Sequence, residues 1–562
     1  MRRKKRLELK NKQSQKVNLE DFHYRKDPNR AREKKKYVNA VVSREYILQY
    51  LGAVNKVVHA RDIIKAMGLK KDMIDGLYVR LGAMVRDFQI IQTKPACYQL
   101  PSKDSVFEGV IGATKRGYFV KSCKTQEQFV LNRRQSRAFF PKDRVKVALM
   151  GFTPRGERKV RITEVVEHHT HSLIGQYIQG KQFCYVLPQN PLLDHHIIIA
   201  HEDKLGAEDG DFVRITITRQ PGIHTMAEAK VVKILSQEMT FALATDNAME
   251  MFDIVDVWPD EIQPELDRLP KEPSEKDCAG RKDLTGLPFI TIDGADARDF
   301  DDAVLVQKEG KGFRLSVAIA DVSHYVRPFS ALDIEAQARG TSVYFPRRVV
   351  PMLPEALSNG LCSLVPQQKR LVLVCEIVFD HKGRPLKKDF YQGVIYSHAR
   401  LTYSQVAAFI EDQTGDFAPK VAENVHNLHA LFEQLLQQRF KRHALEIDSK
   451  ETILVPNDAD QVKDITLAER NVAHRMIEEA MLAANVAVAQ GLQEQEIDTL
   501  FRNHLEPDPD KMQDLVRYLN LFGVQMQGKG LDMGVLNKTL SEHQDPLQRQ
   551  ILQLLTLRSM YQ

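Results

Sequence analysis

Thr291-Ile292-Asp293-Gly294-Ala295-Asp296-Ala297-Arg298-Asp299-Phe300-Asp301-Asp302-Ala303 places five aspartates within ten positions, between the apolar runs Leu287–Ile292 and Val304–Val306. Carboxylates this crowded raise one another's pKa unless a cation lies among them. Hard oxygen donors on a short loop between two strands suit Mg²⁺ or Mn²⁺. A solvated acidic turn is the competing reading, because charge runs usually face water. An EF-hand is excluded, since no start position supplies both a sixth-place Gly and a twelfth-place Glu.

The flanking sequence decides between these readings. Downstream lie Val317-Ala318-Ile319-Ala320-Asp321-Val322-Ser323-His324-Tyr325-Val326, Arg339-Gly340-Thr341-Ser342-Val343-Tyr344-Phe345-Pro346, Val350-Pro351-Met352-Leu353-Pro354 and Leu357-Ser358-Asn359-Gly360-Leu361-Cys362-Ser363-Leu364. With the spacing D-x5-D-x-D-D, this succession resembles the ribonuclease II superfamily, and its ribonuclease R family in particular. The resemblance implies a 3′-to-5′ exoribonuclease that releases nucleoside 5′-monophosphates.

The chain has 562 residues, of which 43% are hydrophobic and 27% charged, enough for several domains and a sizeable core. Its net charge of +6 is unevenly spread. The first 36 residues hold 15 Lys/Arg against 5 Asp/Glu, so the rest of the chain is slightly acidic. A basic arm on a near-neutral body points to a polyanion, because neutralised phosphates release counterions. No apolar segment follows Met1–Arg6, which excludes a signal peptide there. No apolar run approaches the roughly 20 residues of a membrane span. The six cysteines form no C-x-x-C pair and read as reduced, mostly buried thiols without a zinc site. A cytoplasmic protein is expected, without membrane association, and a monomer.

Residues 1–40 are polar and basic and read as a disordered arm. Over 41–102, a Ser43-capped helix, helices over His59–Met67 and Lys71–Val85, and strands at Gln89–Gln92 and Cys97–Leu100 read as a winged helix-turn-helix. Residues 103–168 and 169–245 carry an internal duplication: Gly109 to Asp143 in the first copy corresponds to Gly175 to Asp211 in the second. Short alternating strands predict two β-barrels of the OB type, which match in position the paired cold-shock domains that the resemblance implies. In the first barrel, Lys115, Arg116, Tyr118 and Phe119 interleave basic and aromatic side chains, a pattern that stacks bases and tracks phosphates. Fewer aromatics mark the second barrel as the weaker binder. Proline-rich residues 246–284 read as a linker and domain entry. Residues 285–562 form the catalytic region, with a hairpin across Gly310-Lys311-Gly312, a strand over Leu371–Phe379, and a long helix starting at the capping box Thr466-x-x-Glu469. The fold class is multidomain α+β: a winged helix, two cold-shock-like OB barrels and a mixed α+β RNB domain.

Phosphodiester hydrolysis develops charge on both the attacking and leaving oxygens, and two divalent ions about 3.5–4 Å apart stabilise both. Several carboxylates are needed to hold them. In the resemblance, Asp293, Asp299, Asp301 and Asp302 fall on four metal-binding catalytic aspartates. Asp293 and Asp302 are assigned to one Mg²⁺, or Mn²⁺ in its place. Asp299 and Asp301 are assigned to the second ion and the attacking water. Asp296 has no counterpart, and Asp321 and His324 read as structural. Tyr344 falls on the aromatic that packs the 3′-terminal base of a single-stranded RNA end. Ile447 stands where the family pattern has Phe, offering contact without a π-face. Glu478 or Glu479 is placed to contact a terminal ribose, with helical pairing to Arg475 as the alternative. Family members continue past Leu557-Arg558-Ser559-Met560 into an arginine-bearing segment and a further OB domain. With the sequence ending at Gln562, the reading expects a catalytic domain incomplete at its C-terminus. Two competing functions follow: a catalytically impaired RNA-binding protein, or an endonuclease.

Overall fold

The computed structural model describes residues 22–561 apart from 38–39, 103–104, 116, 132, 153–155, 446, 448–450, 469, 504, 506, 524–532 and 543–544. The chain divides into two units, Met1–Asp253 and Ile254–Gln562.

In the first unit, Ser43 caps the helix Arg44–Val54, its hydroxyl accepting from the Tyr46 amide. Helices Ala60–Ala66 and Ile74–Arg86 follow, with a three-stranded sheet built from Val58–His59, Ile91–Lys94 and Cys97–Gln99. The disordered arm expected over 1–40 is corrected from residue 22 onward by a short 3-10 helix Tyr24–Lys26 and an α-helix Arg30–Lys36, while residues 1–21 and 38–39 lie outside the described residues. Phe22 and Tyr24 are buried in the same core as Tyr46, Ile47, Leu51 and Leu81. Their apolar surface gives this segment something to fold against, which the lysine-rich composition obscures.

Two closed five-stranded barrels follow, with the same strand order and the same parallel closure between the third and fifth strands. The duplication is structural down to single residues. Gly109 and Gly175 sit where a Cβ would meet Val120 and Val186 at 2.4 and 2.3 Å. Asp143 and Asp211 are buried, each accepting the amide three residues earlier, from Phe140 and Glu208. Ile111 and Tyr177 donate their amides to the carbonyls of those two aspartates.

The second unit begins before the expected boundary at 285. Ile262 belongs to the catalytic core, and Asp277 and Arg281 bond to His324 and Asp321, so residues 254–284 are not a linker. The sheet contains β1 (Lys282–Asp283), β2 (Phe289–Asp293), β3 (Asp302–Glu309), β4 (Gly312–Ala320), β5 (Lys369–Phe379) and β6 (Pro385–Thr402), in the order β1-β6-β2-β3-β4-β5. The 18-residue β6 pairs with β5 along its first part and with β2 along its last, so the sheet folds back on itself. Both faces are covered, which explains near-continuous apolar strands. Ile290, Ile292, Val304 and Val306 pack under helices α1 (Pro419–Lys441) and α2 (Val472–Glu494), while Phe289, Ala303 and Leu305 face Leu332, Leu357 and Leu364. The expected start of α2 is corrected. Thr466 lies in strand Val462–Leu467, opposite Ile453, and Asn471 caps the helix instead; Glu469 lies outside the described residues. Helices Pro509–Leu521, Met533–Glu542 and Pro546–Ser559 close on Leu515, Leu519, Leu536, Leu540 and Leu552. Among the described residues no helix is long and apolar enough to cross a membrane. All six cysteines are free; only Cys362 and Cys375 are buried, fewer than expected.

Candidate active site

The aspartate loop joins two strands that barely pair. β2 and β3 share one register contact, Ile290 with Val304, and then splay. Asn424 of α1 occupies the gap: its carboxamide oxygen accepts from the Val306 amide at 2.8 Å, and its nitrogen donates to the carbonyls of Pro288 and Val304. Asn427 donates to the Val306 carbonyl. Backbone groups freed by the splay are thereby satisfied in a buried environment, where leaving them unpaired is costly. The open end carries Asp293 at the close of β2 and Asp302 at the start of β3.

The loop itself is held by the motif around Ser363. The fully buried Ser363 hydroxyl accepts from the Phe300 amide at 3.1 Å and donates to the Arg298 carbonyl at 2.8 Å. The Leu364 amide donates to the Phe300 carbonyl, and the Ala320 amide to the Asp301 carbonyl. Arg370, itself buried, donates to the Ser363 carbonyl at 2.7 Å. On the other side Arg400 of β6 donates to the carbonyls of Gly294 and Ala295. Sequence reading treated Leu357–Leu364 only as a signature; its physical task is to fix the backbone from 298 to 302.

The electrostatics are those of unbalanced negative charge. Burial, then Asp302, Asp299 and Asp301, pushes the Asp293 carboxyl up to about 6, against a small opposing pull from Arg400. Burial and Asp301 push Asp302 up to about 6 as well. Asp301 is raised by partial desolvation of its carboxyl and by Asp299. The four expected aspartates thus lie within electrostatic reach of one another, and Asp296 stays exposed on the loop. Hard carboxylate oxygens with too little positive charge near them fit divalent cations in donor chemistry. They are not drawn into a closed cage: among the described residues no three acidic, His or Cys side chains converge at metal-holding distances.

Tyr344 stands over this loop. It lies in the hairpin Val343–Phe345/Arg348–Val350, is 66% exposed, and donates its hydroxyl to Asp299 Oδ2 at 3.2 Å. Sequence reading missed Tyr403 and His474. Thr402, opposite Asp293 in the sheet, caps the helix starting at Tyr403. Burial, then Asp293 and Asp302, pushes the Tyr403 hydroxyl up to about 12, and the His474 ring stacks on it at 3.8 Å. A small aromatic pair beside an aspartate run is invisible in sequence, because the helix starting at Tyr403 and α2 meet only in the fold.

Other expected residues fall differently. Asp321 and His324 are structural: Arg281 donates to Asp321 at 2.6 Å, Ser323 at 2.7 Å, and His324 pairs with Asp277 at 3.0 Å. Glu478 and Glu479 both bond Arg439 of α1, at 3.1 and 2.5 Å, and Glu478 also pairs with Arg470. Those pairs tie α1 to α2, and the buried Glu479 belongs to that tie. Ile447 is half-buried in coil. Of the first barrel's set, Lys115 is exposed and Arg116 lies outside the described residues. Tyr118 is corrected: it is 7% exposed, with its hydroxyl on the Leu192 carbonyl. Strand alternation turns Tyr118 and Val120 inward, leaving Phe119 and Lys121 outward, with Phe119 lying across Gly112. The second barrel was expected to be poorer in exposed aromatics, yet it carries Phe183, 42% exposed, beside Tyr185, which stacks on His196 at 4.8 Å.

The RNB domain family matches residues 281–562, and the cold shock domain family matches residues 185–259. Ribonuclease R of Escherichia coli (strain K12) is 36% identical over 546 residues, covering 95% of this chain and 67% of that protein. The chain belongs to the ribonuclease R family of exoribonucleases. Ribonuclease R of Vibrio parahaemolyticus is 37% identical over 549 residues, covering 95% of this chain and 65% of its own length, so the chain spans about two thirds of these relatives. A solved structure of Mycoplasma genitalium RNase R in complex with ribose-methylated single-stranded RNA matches at a TM-score of 0.71 and 26% identity, over 81% of this chain and 73% of that one. The same enzyme in complex with double-stranded RNA matches at 0.66 and 27%, over 76% and 74%. The aspartate loop, the Ser363 motif and the Tyr344 hairpin all lie inside the matched RNB region.

Proposed function

We propose that this chain is a divalent-metal-dependent exoribonuclease that degrades RNA from a single-stranded 3′ end to nucleoside 5′-monophosphates, as a cytoplasmic monomer. The observation that carries the reading is the exposed Tyr344 ring set by its own hydroxyl over Asp299, in a loop of unbalanced carboxylates. Asp293 and Asp302 would hold one Mg²⁺ or Mn²⁺, and Asp299 and Asp301 a second together with the attacking water. Bound there, such ions supply charge compensation for the phosphate and a more acidic water. Tyr344 stacks the terminal base, a contact worth about 1–3 kcal/mol that tolerates any sequence. Its hydroxyl fixes the rotamer of Asp299. Ser363 and Arg400 hold the loop backbone so that the carboxylates need no large reorganisation. Upstream, the outward Phe119 and the Phe183–Tyr185–His196 group offer stacking surfaces for the strand, and the three helices with their small sheet serve as a winged helix-turn-helix.

Incubation with Mg²⁺ and a 5′-labelled, 3′-tailed RNA tests the proposal. A ladder shortening from the 3′ end, with mononucleotide release, supports it. Retention without cleavage would make the chain an RNA-binding protein, and internal cuts an endonuclease.

A further inference from the structure

The segment that folds onto the N-terminal helices creates a cleft of about 470 Å³, lined by Tyr24, Arg30, Lys34, Tyr37, Lys70 and Asp72 among others. That volume lies within the usual range of ligand pockets. The carboxylates around it are mostly spent internally. Asp27 is 5% exposed and accepts from the Ser43 amide at 2.6 Å, the Ser43 hydroxyl at 2.9 Å and the Asn29 amide at 2.9 Å. Glu33 is buried and pairs with Arg80 at 2.7 Å and with Arg32 at 3.1 Å. Glu45 pairs with Arg32. Among the described residues, Arg30, Lys34 and Lys70 enter no ion pair. They face a cleft whose remaining carboxylate is Asp72.

Two tyrosines complete the chemistry. The guanidinium of Arg30 lies 5.3 Å from the Tyr24 ring centre, and Arg25 donates to the Tyr24 hydroxyl. Tyr37 is 45% exposed, with Arg80 5.2 Å and Lys36 5.6 Å from its ring centre. Unneutralised cations beside a half-exposed tyrosine match a nucleic-acid strand, with phosphates on the cations and a base against the exposed part of Tyr37. A free phosphate would use the cations but not Tyr37.

We propose that this cleft is a second RNA-binding site, in which Arg30, Lys34 and Lys70 contact backbone phosphates and Tyr37 stacks a base. The inference rests on the chain being an RNA-processing protein, but it concerns binding, not hydrolysis.

The test uses the full chain in EDTA with a fluorescein-labelled, 3′-tailed RNA, read by anisotropy across a salt series. The variant Arg30→Glu/Lys34→Glu should lose affinity roughly tenfold or more, and the slope of log K against log salt should shrink by roughly 1.4, about 0.7 per phosphate contact. Tyr37→Ala should weaken binding several-fold with an unchanged slope. The retained-charge variant Arg30→Lys/Lys34→Arg should bind as the parent does. A charge-matched control, Lys308→Glu/Lys311→Glu at the exposed turn between β3 and β4, should change affinity less than about twofold. Parental affinity and slope in Arg30→Glu/Lys34→Glu would overturn the cleft. So would an equal loss in the control, which would make net charge the cause, or displacement of the RNA by millimolar inorganic phosphate alone. Hydrolysis measured in Mg²⁺ on the same preparations separates the two claims. Parental binding that is sensitive to Arg30 and Lys34, without turnover, would uphold the cleft and refute the nuclease reading.

Discussion

The catalytic domain contains two acidic groups that end in opposite electrostatic states. Asp277 and Asp321 are paired with His324 and Arg281. Hydrogen bonds from Ser274, then His324, hold the Asp277 carboxyl below its usual range. Burial pushes Asp321 up, but Ser323 and Arg281 outweigh it and the carboxyl ends low. At Asp293, Asp301 and Asp302 the same residue type is pushed upward, because neighbouring carboxylates add to burial and little cation answers them. A structural acid cluster is neutralised by its own protein. The cluster proposed as catalytic keeps its charge unbalanced, which suits cations that would arrive with a substrate.

Replacement at the two clusters should therefore fail in different ways. Asp301→Asn should lower turnover by at least about 10²–10³-fold, the typical cost of one charge-organising group, while RNA affinity stays within a few-fold because phosphate contacts elsewhere set it. Filter binding and turnover on one preparation check this; a parallel loss of binding would sink the assignment. Asp321→Ala should do the reverse. It leaves Arg281 buried without its partner, at a cost of about 3–5 kcal/mol in unfolding free energy, measured by urea titration. The folded fraction should keep its metal dependence.

Ser363→Ala tests the support between them. Removing a buried hydroxyl that both donates and accepts should cost about 1–3 kcal/mol and lower kcat more than it raises KM, since the backbone from 298 to 302 loses its clamp. Unchanged kcat would show that the Leu364 and Ala320 amides hold the loop unaided. The smallest effect is in pH. Asp302 is raised from an ordinary 3.8 to about 6, so its protonated form favours the native state. That contribution is complete below about pH 3.8 and is lost as pH rises through about 6. In EDTA, Asp302→Asn should melt with the parent at pH 4 and above it at pH 7. A constant difference across that range would mean that Asp302 is not desolvated by its neighbours.

Much of this was legible in the amino-acid sequence because it is local. Apolar runs on both sides of the aspartates mark β2 and β3, and the glycine-to-aspartate spacing marks the twin barrels. Capping by Ser43 follows from a side chain next to the helix it starts. The four aspartates and Tyr344 come from one continuous region, so their order along the chain already grouped them. Misplaced expectations are those where a long-range contact overrode a local signal. Thr466 has good capping chemistry, yet pairing with Ile453 draws it into a strand. Tyr118 reads as a stacking residue beside Lys115, but the pleat turns it into the barrel. Lysines mask the apolar anchors Phe22 and Tyr24.

What only the tertiary structure decided is which charges find partners. Asp293 and Asp321 are the same residue at strand ends of one sheet. Arg281, from a segment that composition alone assigns to a linker, reaches Asp321, while Arg400 turns one terminal nitrogen to the carbonyls of Gly294 and Ala295. The sequence determined the number and kind of carboxylates. Their charge state depends on desolvation and on distance to cations far along the chain, and those quantities exist only once the sheet has closed on itself.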